Sequence, residues 1–227
     1  MNKKILFAML LTELMFVFVY AATRVGTSNP LLKDLYFWFD LDGEGRVPAI
    51  FSALQLAAVG GIWFYLAHKS ALRLPRGYLV LFGSVFVFLA VDEWAQIHEQ
   101  VRHFLRILKS GTAPWLYVGV GAWIPVYLLS GAIVAAVSAP FSILLWKRAQ
   151  GAFKFLVLGG LLFLFGAVLL EISSYRMFRI FTSPLWYAAE VAVEEFFEMA
   201  GASLILYGVL KIASHPAHAQ NVRAAQG

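Results

Sequence analysis

The chain has 227 residues, 61% hydrophobic and only 14% charged, with a mean hydropathy of +0.75, a balance that excludes an ordinary soluble globular domain and marks an integral membrane protein. Its formal charge of +5 is spread over loops and helix ends rather than gathered on one stripe, so nucleic acid is not an expected partner. The absence of cysteine excludes disulfides, thiolate metal sites and thiol nucleophiles, and leaves oxygen and imidazole as ligands for any metal.

Apolar runs of about 20 residues mark spanning helices. They predict an all-α polytopic bundle of about six transmembrane helices, over 5–22, 49–67, 78–103, 114–138, 152–175 and 185–211. Residues 1–213 read as a single transmembrane helical domain and 214–227 as a disordered cytoplasmic tail. The first run begins with Lys3 and Lys4 and carries Glu13 but lacks a small-x-small cleavage site, so it reads as a retained helix. Glu13 lies near mid-depth, where a hydrogen bond to Gln55 of the second run is the favoured reading and a proton site the sharper one.

Between the first two runs, Asp40, Asp42 and Glu44 followed by Gly45 begin like an EF-hand, but its twelfth position is Phe51 where a bidentate Glu is required. A turn leading into the second helix, with Pro48 at its start, is the better reading. In the third run Asp92, Gln96, Glu99, His103 and Arg106 fall within a wheel stripe roughly 80° wide, with Glu93 and His98 flanking it. Pro125 predicts a kink in the fourth run, and Pro140 an end or bend near its far face. Gly159, Gly160 and Gly166 of the fifth run, with Gly201 and Ala202 of the sixth, permit close helix approach. Glu190, Glu194 and Glu198 share one face of the sixth helix, with Glu195 on its shoulder.

Counting Lys and Arg by loop favours both termini in the cytoplasm of a multi-pass protein of the plasma (inner) membrane. At 1.5 Å per residue, Asp92 and Glu99 lie roughly 21 and 31 Å along the third run, and Glu190 and Glu198 roughly 8 and 20 Å along the antiparallel sixth. Both acidic groups therefore fall in one half of the membrane, the outer half by that orientation, joined by Glu171 and with Glu44 above. Carboxylates are costly inside a bilayer and mark a functional site by default. Bound protons, the arginines Arg102, Arg106, Arg176 and Arg179, or divalent cations could neutralise them.

The strings FDLDGEGRVPAIFSALQL at 39–56, AVDEWAQIHEQ at 90–100 and VEEFFEMAGASLILYGVL at 193–210 together resemble a group of prokaryotic polytopic membrane proteins. That group carries an acidic loop before its second helix, an Asp-Glu-x4-His-Glu motif and a Glu-Glu-x2-Glu-Met-x-Gly motif. The resemblance implies the architecture and the importance of Glu44, Asp92, Glu93, His98, Glu99, Glu194, Glu195 and Glu198, and carries no reaction. Arg46-Val47-Pro48-Ala49-Ile50 departs from the pattern, where Asn-Ile-Pro-Thr-Trp would be expected. Membrane hydrolases of the ceramidase and progestin-receptor type are a poorer match: they bind zinc with three histidines, and here only His98 and His103 are suitably placed.

Three functions are in view. In the first, a membrane-embedded enzyme holds a divalent metal (Zn, Mn or Fe) through Asp92, His98, Glu99, Glu194 and Glu198. Glu93 or Glu195 acts as general base, Arg102, Arg106 or Arg176 orients a lipid or small-molecule substrate, and Glu44, His103, Glu171 and Glu190 support the site. In the second, the acids bind and release a cation or proton during transport. In the third, they only fix helix packing in a structural or sensory module.

Overall fold

A computed structural model describes residues 3–25, 30–43, 45–69, 74–111, 122–173 and 183–214, excepting the side chains of residues 25, 99, 102 and 110. In chain order the helices are α1 (Lys3–Val25), α2 (Pro30–Phe39), α3 (Val47–His68), α4 (Arg76–Ala95), α5 (Ile97–Gly111), α6 (Ile124–Leu164) and α7 (Pro184–Ala213), with a π-helical segment, Phe165–Leu170, continuing α6. The described residues contain no strand. Five helices are long and apolar enough to cross a membrane: α1, α3, α4, α7 and the continuous stretch Ile124–Ser173. The expected tail after Ser214 lies outside the described residues.

Helix α7 is the centre of the bundle. In its most apolar stretch 67% of residues are buried, against 17% in α1, and it packs on α1, α3, α6 and the π segment. Glycines set that packing. A Cβ on Gly159 would come within 2.6 Å of the Gly201 carbonyl, and one on Gly201 within 2.6 Å of the Phe163 nitrogen. Gly160, grouped with them in the sequence, faces open space. A second such contact joins α3 to α4, where a Cβ on Gly60 would meet Val87 Cγ2 at 2.7 Å.

The long stretch is interrupted at Ala149, whose backbone is not helical (φ −143°, ψ 45°). Before this break Tyr127 meets Phe88 and Phe141 meets Tyr78 and Phe82, so residues 124–148 run antiparallel to α4. After it Gly151 lies at Lys211, Gly159 at Gly201 and Gly166 at Glu198, so the chain runs antiparallel to α7. Lys211 Nζ donates to the Gly151 carbonyl at 3.0 Å, tying the break to the end of α7. Pro125 falls at the start of α6 rather than inside a helix, so the expected kink is absent there: a proline in the first turn removes no helical hydrogen bond. Residues 114–121 of the fourth expected span lie outside the described residues.

Two further expectations change. The third span does not continue to residue 103: α4 ends at Ala95, Gln96 adopts φ 53°, and α5 starts afresh at Ile97. One residue in the left-handed region reorients everything after it, so the stripe running from Asp92 to Arg106 is not one helix face. In addition, α2 occupies what reads as loop. It opens on Pro30, is too short to span, and exposes Leu31, Leu35, Phe37 and Trp38.

Candidate functional site

Three polar assemblies sit inside or against the bundle. The first is built around Asp92 at the end of α4. Its Oδ1 accepts the backbone N–H of His98 at 2.8 Å and the hydroxyl of Tyr127 at 2.8 Å, and His98 Nδ1 lies 3.4 Å from its other oxygen. The first turn of a helix has N–H groups with no intrahelical acceptor. Asp92 supplies one across the Gln96 break and caps α5 from outside its own sequence. Trp123 packs on both the His98 and Tyr127 rings, at centroid distances of 5.3 and 5.1 Å.

The second assembly is acidic. The strongest electrostatic neighbours of the Glu198 carboxyl are Glu195, Glu93, Glu194 and Glu171, and those of Glu194 are Glu171, Glu190 and Asp42. Carboxyls from α4, from the stretch after the π segment and from α7 thus lie within electrostatic reach of one another, half-buried, and every charged neighbour named among the described residues is acidic. The backbone explains how they come together. Gly166 lies in the π segment, where a Cβ would meet Glu198 Cγ at 2.7 Å and the Glu194 carbonyl at 2.8 Å, and Glu171 follows directly. A π segment inserts an extra residue into a helix and is often found at functional sites.

Above this group the first loop closes on α7. The Tyr187 hydroxyl donates to Asp42 Oδ2 in a short hydrogen bond. Asp40 accepts the Asp42 N–H at 3.3 Å in an Asx-type turn, and the Gly43 N–H donates to the Asp40 carbonyl at 3.3 Å. The turn leading into α3, with Pro48 at its start, is therefore present. Gly43 packs closely there: a Cβ would lie 2.7 Å from Arg46 Cγ, so that side chain would have to shift. Arg46 stacks over Phe37 of α2, 3.5 Å from the ring centroid. Tyr36, also on α2 and outside the spanning helices, has its phenol pKa held above the ordinary value first by burial and then by Asp40.

The third assembly is Glu13 with Gln55 and Ser203, one residue each from α1, α3 and α7. Gln55 Nε2 donates to Glu13 Oε1 at 3.0 Å, so the expected hydrogen bond is present. Ser203, which sequence reading does not single out, joins the pair by donating to the same oxygen at 2.5 Å.

Of the residues expected to share one site, Glu93, Glu171, Glu190, Glu194, Glu195 and Glu198 are within electrostatic reach of one another around Glu194 and Glu198. Asp92 and His98 pair with each other at the α4–α5 junction. His103 and Arg106 are exposed on α5. The side chains of Glu99 and Arg102, and Glu44 and Arg176 entirely, lie outside the described residues. Among the described residues no three His, Asp or Glu side chains are close enough together to hold a metal ion. Tyr187, Tyr127 and Ser203 are the contributors that the motifs do not reveal; Asp42 belongs to the acidic loop, which they do reveal.

The fold is an all-α bundle with five helices long and apolar enough to cross a membrane, carrying a group of carboxyls within electrostatic reach of one another. The chain belongs to a family defined by a domain of unknown function (DUF8692), whose model matches residues 6–212. No curated protein and no solved structure matches it.

Proposed function

We propose that the cluster of Glu93, Glu171, Glu190, Glu194, Glu195 and Glu198 is a cation site, with a divalent metal (Zn, Mn or Fe) as its ligand. The observation that carries this reading is the surround of Glu198: four carboxyls from three separate stretches of chain, with no lysine or arginine acting on it among the described residues. Mutually repelling carboxylates in a poorly solvated setting require protons or cations, and hard oxygen donors suit divalent ions. Glutamates have three side-chain torsions, so an ion could draw in groups that stand apart without it. Glu194 and Glu198 would be ligands, and Glu93 or Glu195 would act as base on bound water, making the protein a membrane-embedded metal-dependent enzyme acting on a lipid or lipid-like substrate.

Six crossings are the reading that fits the long stretch. At 1.5 Å per residue a straight 50-residue helix would reach about 75 Å, against a hydrocarbon core of about 30 Å. The antiparallel contacts on either side of Ala149 support two passes. With both termini cytoplasmic in the plasma membrane, the cluster faces the outer side.

Elemental analysis of detergent-purified protein tests the cation reading. Wild type should carry near-stoichiometric divalent metal and Glu198→Gln should lose it, whereas metal-free wild type would end the enzyme proposal. Transport of a cation or proton is the second reading, favoured by the separate buried carboxyl at Glu13. It requires flux in proteoliposomes that disappears in Glu194→Gln.

A further inference from the structure

Glu13 belongs to neither the acidic cluster nor the loop above it. It is 0% exposed and stands about 15 Å along α1, surrounded by helices α3 and α7. Among the described residues the groups acting on it are the Ser203 hydroxyl of α7 and the Gln55 amide of α3, both uncharged, with no cation. Both donate to Oε1, and Gln55 Nε2 also reaches Ser203 Oγ at 2.7 Å. Glu13 Oε2 and Gln55 Oε1, each on a side chain more than nine-tenths buried, have no hydrogen-bond partner among the described residues.

An ionised carboxylate in this place would set a bare charge at mid-bundle, which costs several kcal/mol when no counter-ion accompanies it. A proton on Oε2 removes the charge. It also turns an orphaned acceptor into a donor, beside an amide whose own oxygen lacks one. Ser52, one turn from Gln55 on α3 toward the acidic side, is likewise buried at 1% with an unpartnered hydroxyl, so the polar interior continues in that direction.

We propose that Glu13 is a mid-membrane proton-binding site, its ligand a single proton on Oε2, with Gln55 and Ser203 as positioning residues. None of the three belongs to the acidic cluster, so the site stands whether or not the cluster binds a metal.

Infrared difference spectroscopy of the full detergent-purified chain at neutral pH reads the proton directly. Wild type should show the carbonyl band of a protonated carboxyl that is lost in Glu13→Gln and retained in Glu198→Gln. In Ser203→Ala the band should persist but move to higher frequency, because the carbonyl oxygen loses one donor. If Glu13→Gln fails to fold, the Ser203→Ala shift carries the test alone. No change in the protonated-carboxyl region in either variant would overturn the proposal. So would a sodium-binding signal abolished by Glu13→Gln, since the site would then belong to a metal cation.

Discussion

At the level of single residues, Asp92 does the work of a helix cap. Its carboxylate takes an N–H that α5 cannot satisfy itself and fixes the ring of His98 and the hydroxyl of Tyr127. Asp92→Ala should therefore destabilise the protein by about 1–2 kcal/mol, in line with lost caps. Tyr127→Phe should cost about 1 kcal/mol or less, as for interhelical hydrogen bonds in membranes. Unfolding in mixed micelles measures both, and their double mutant should fall short of the sum because they share Oδ1. Gln96 pays for the break with a left-handed backbone, so Gln96→Gly should hold or raise stability by up to about 1 kcal/mol. Tyr36 adds a pH dependence. Its folded-state pKa lies above the ordinary value of about 10, so its contribution is whole below that value and is lost as pH rises through the folded pKa. Alkaline unfolding of Tyr36→Phe should lack that component.

The pairing of Glu13 with Gln55 is legible in sequence because two polar side chains isolated in apolar runs must find each other. The role of Asp92 is not. Periodicity treats 78–103 as one helix, and a single positive φ at Gln96 defeats every wheel angle beyond it. Ser203 and Tyr127 are hidden for another reason: serine and tyrosine are common in membrane helices, and only the fold shows which of them meets a carboxyl.

At the level of elements, the joint between the later part of the long stretch and α7 is fixed by glycine. Gly159→Val or Gly201→Val places atoms where backbone already lies, within 2.6 Å, and should destabilise by about 1–3 kcal/mol as overpacked cores do. Gly160→Ala, which faces open space inside a helix, should hold or raise the thermal midpoint. Equal losses in all three would remove the close-packing account. The small residues are visible in sequence, but which of two adjacent glycines faces the partner is decided by helix rotation, which periodicity in an all-apolar helix does not fix. The helix α2 escapes a search for spans because it is short and amphipathic, and the first half of α5 is absorbed into the span expected over 78–103. Each still exposes large apolar side chains, Leu31 and Trp38 on α2 and Phe104 and Ile107 on α5, the pattern of helices that lie along an interface.

At the level of the whole molecule, the cysteine-free chain makes topology simple to measure by single-cysteine labelling. Two passes between residues 124 and 173 place Gln150→Cys on the same side as Lys69→Cys and opposite Lys109→Cys. Labelling of Gln150→Cys from the side of Lys109→Cys would refute the six-crossing reading. The same folding decides the site. Sequence depth puts the carboxyls at one level, and the structure then divides them, with Glu93 within electrostatic reach of Glu198 and Asp92 bonded to Tyr127. What results is a cluster of glutamates around Glu198 rather than one site containing every acid. Manganese titration of chelator-stripped protein, followed by electron paramagnetic resonance, tests that claim most directly. The account predicts saturable binding by wild type and Asp92→Asn and at least a tenfold loss of affinity in Glu198→Gln; equal binding by wild type and Glu198→Gln, or none by wild type, would contradict it.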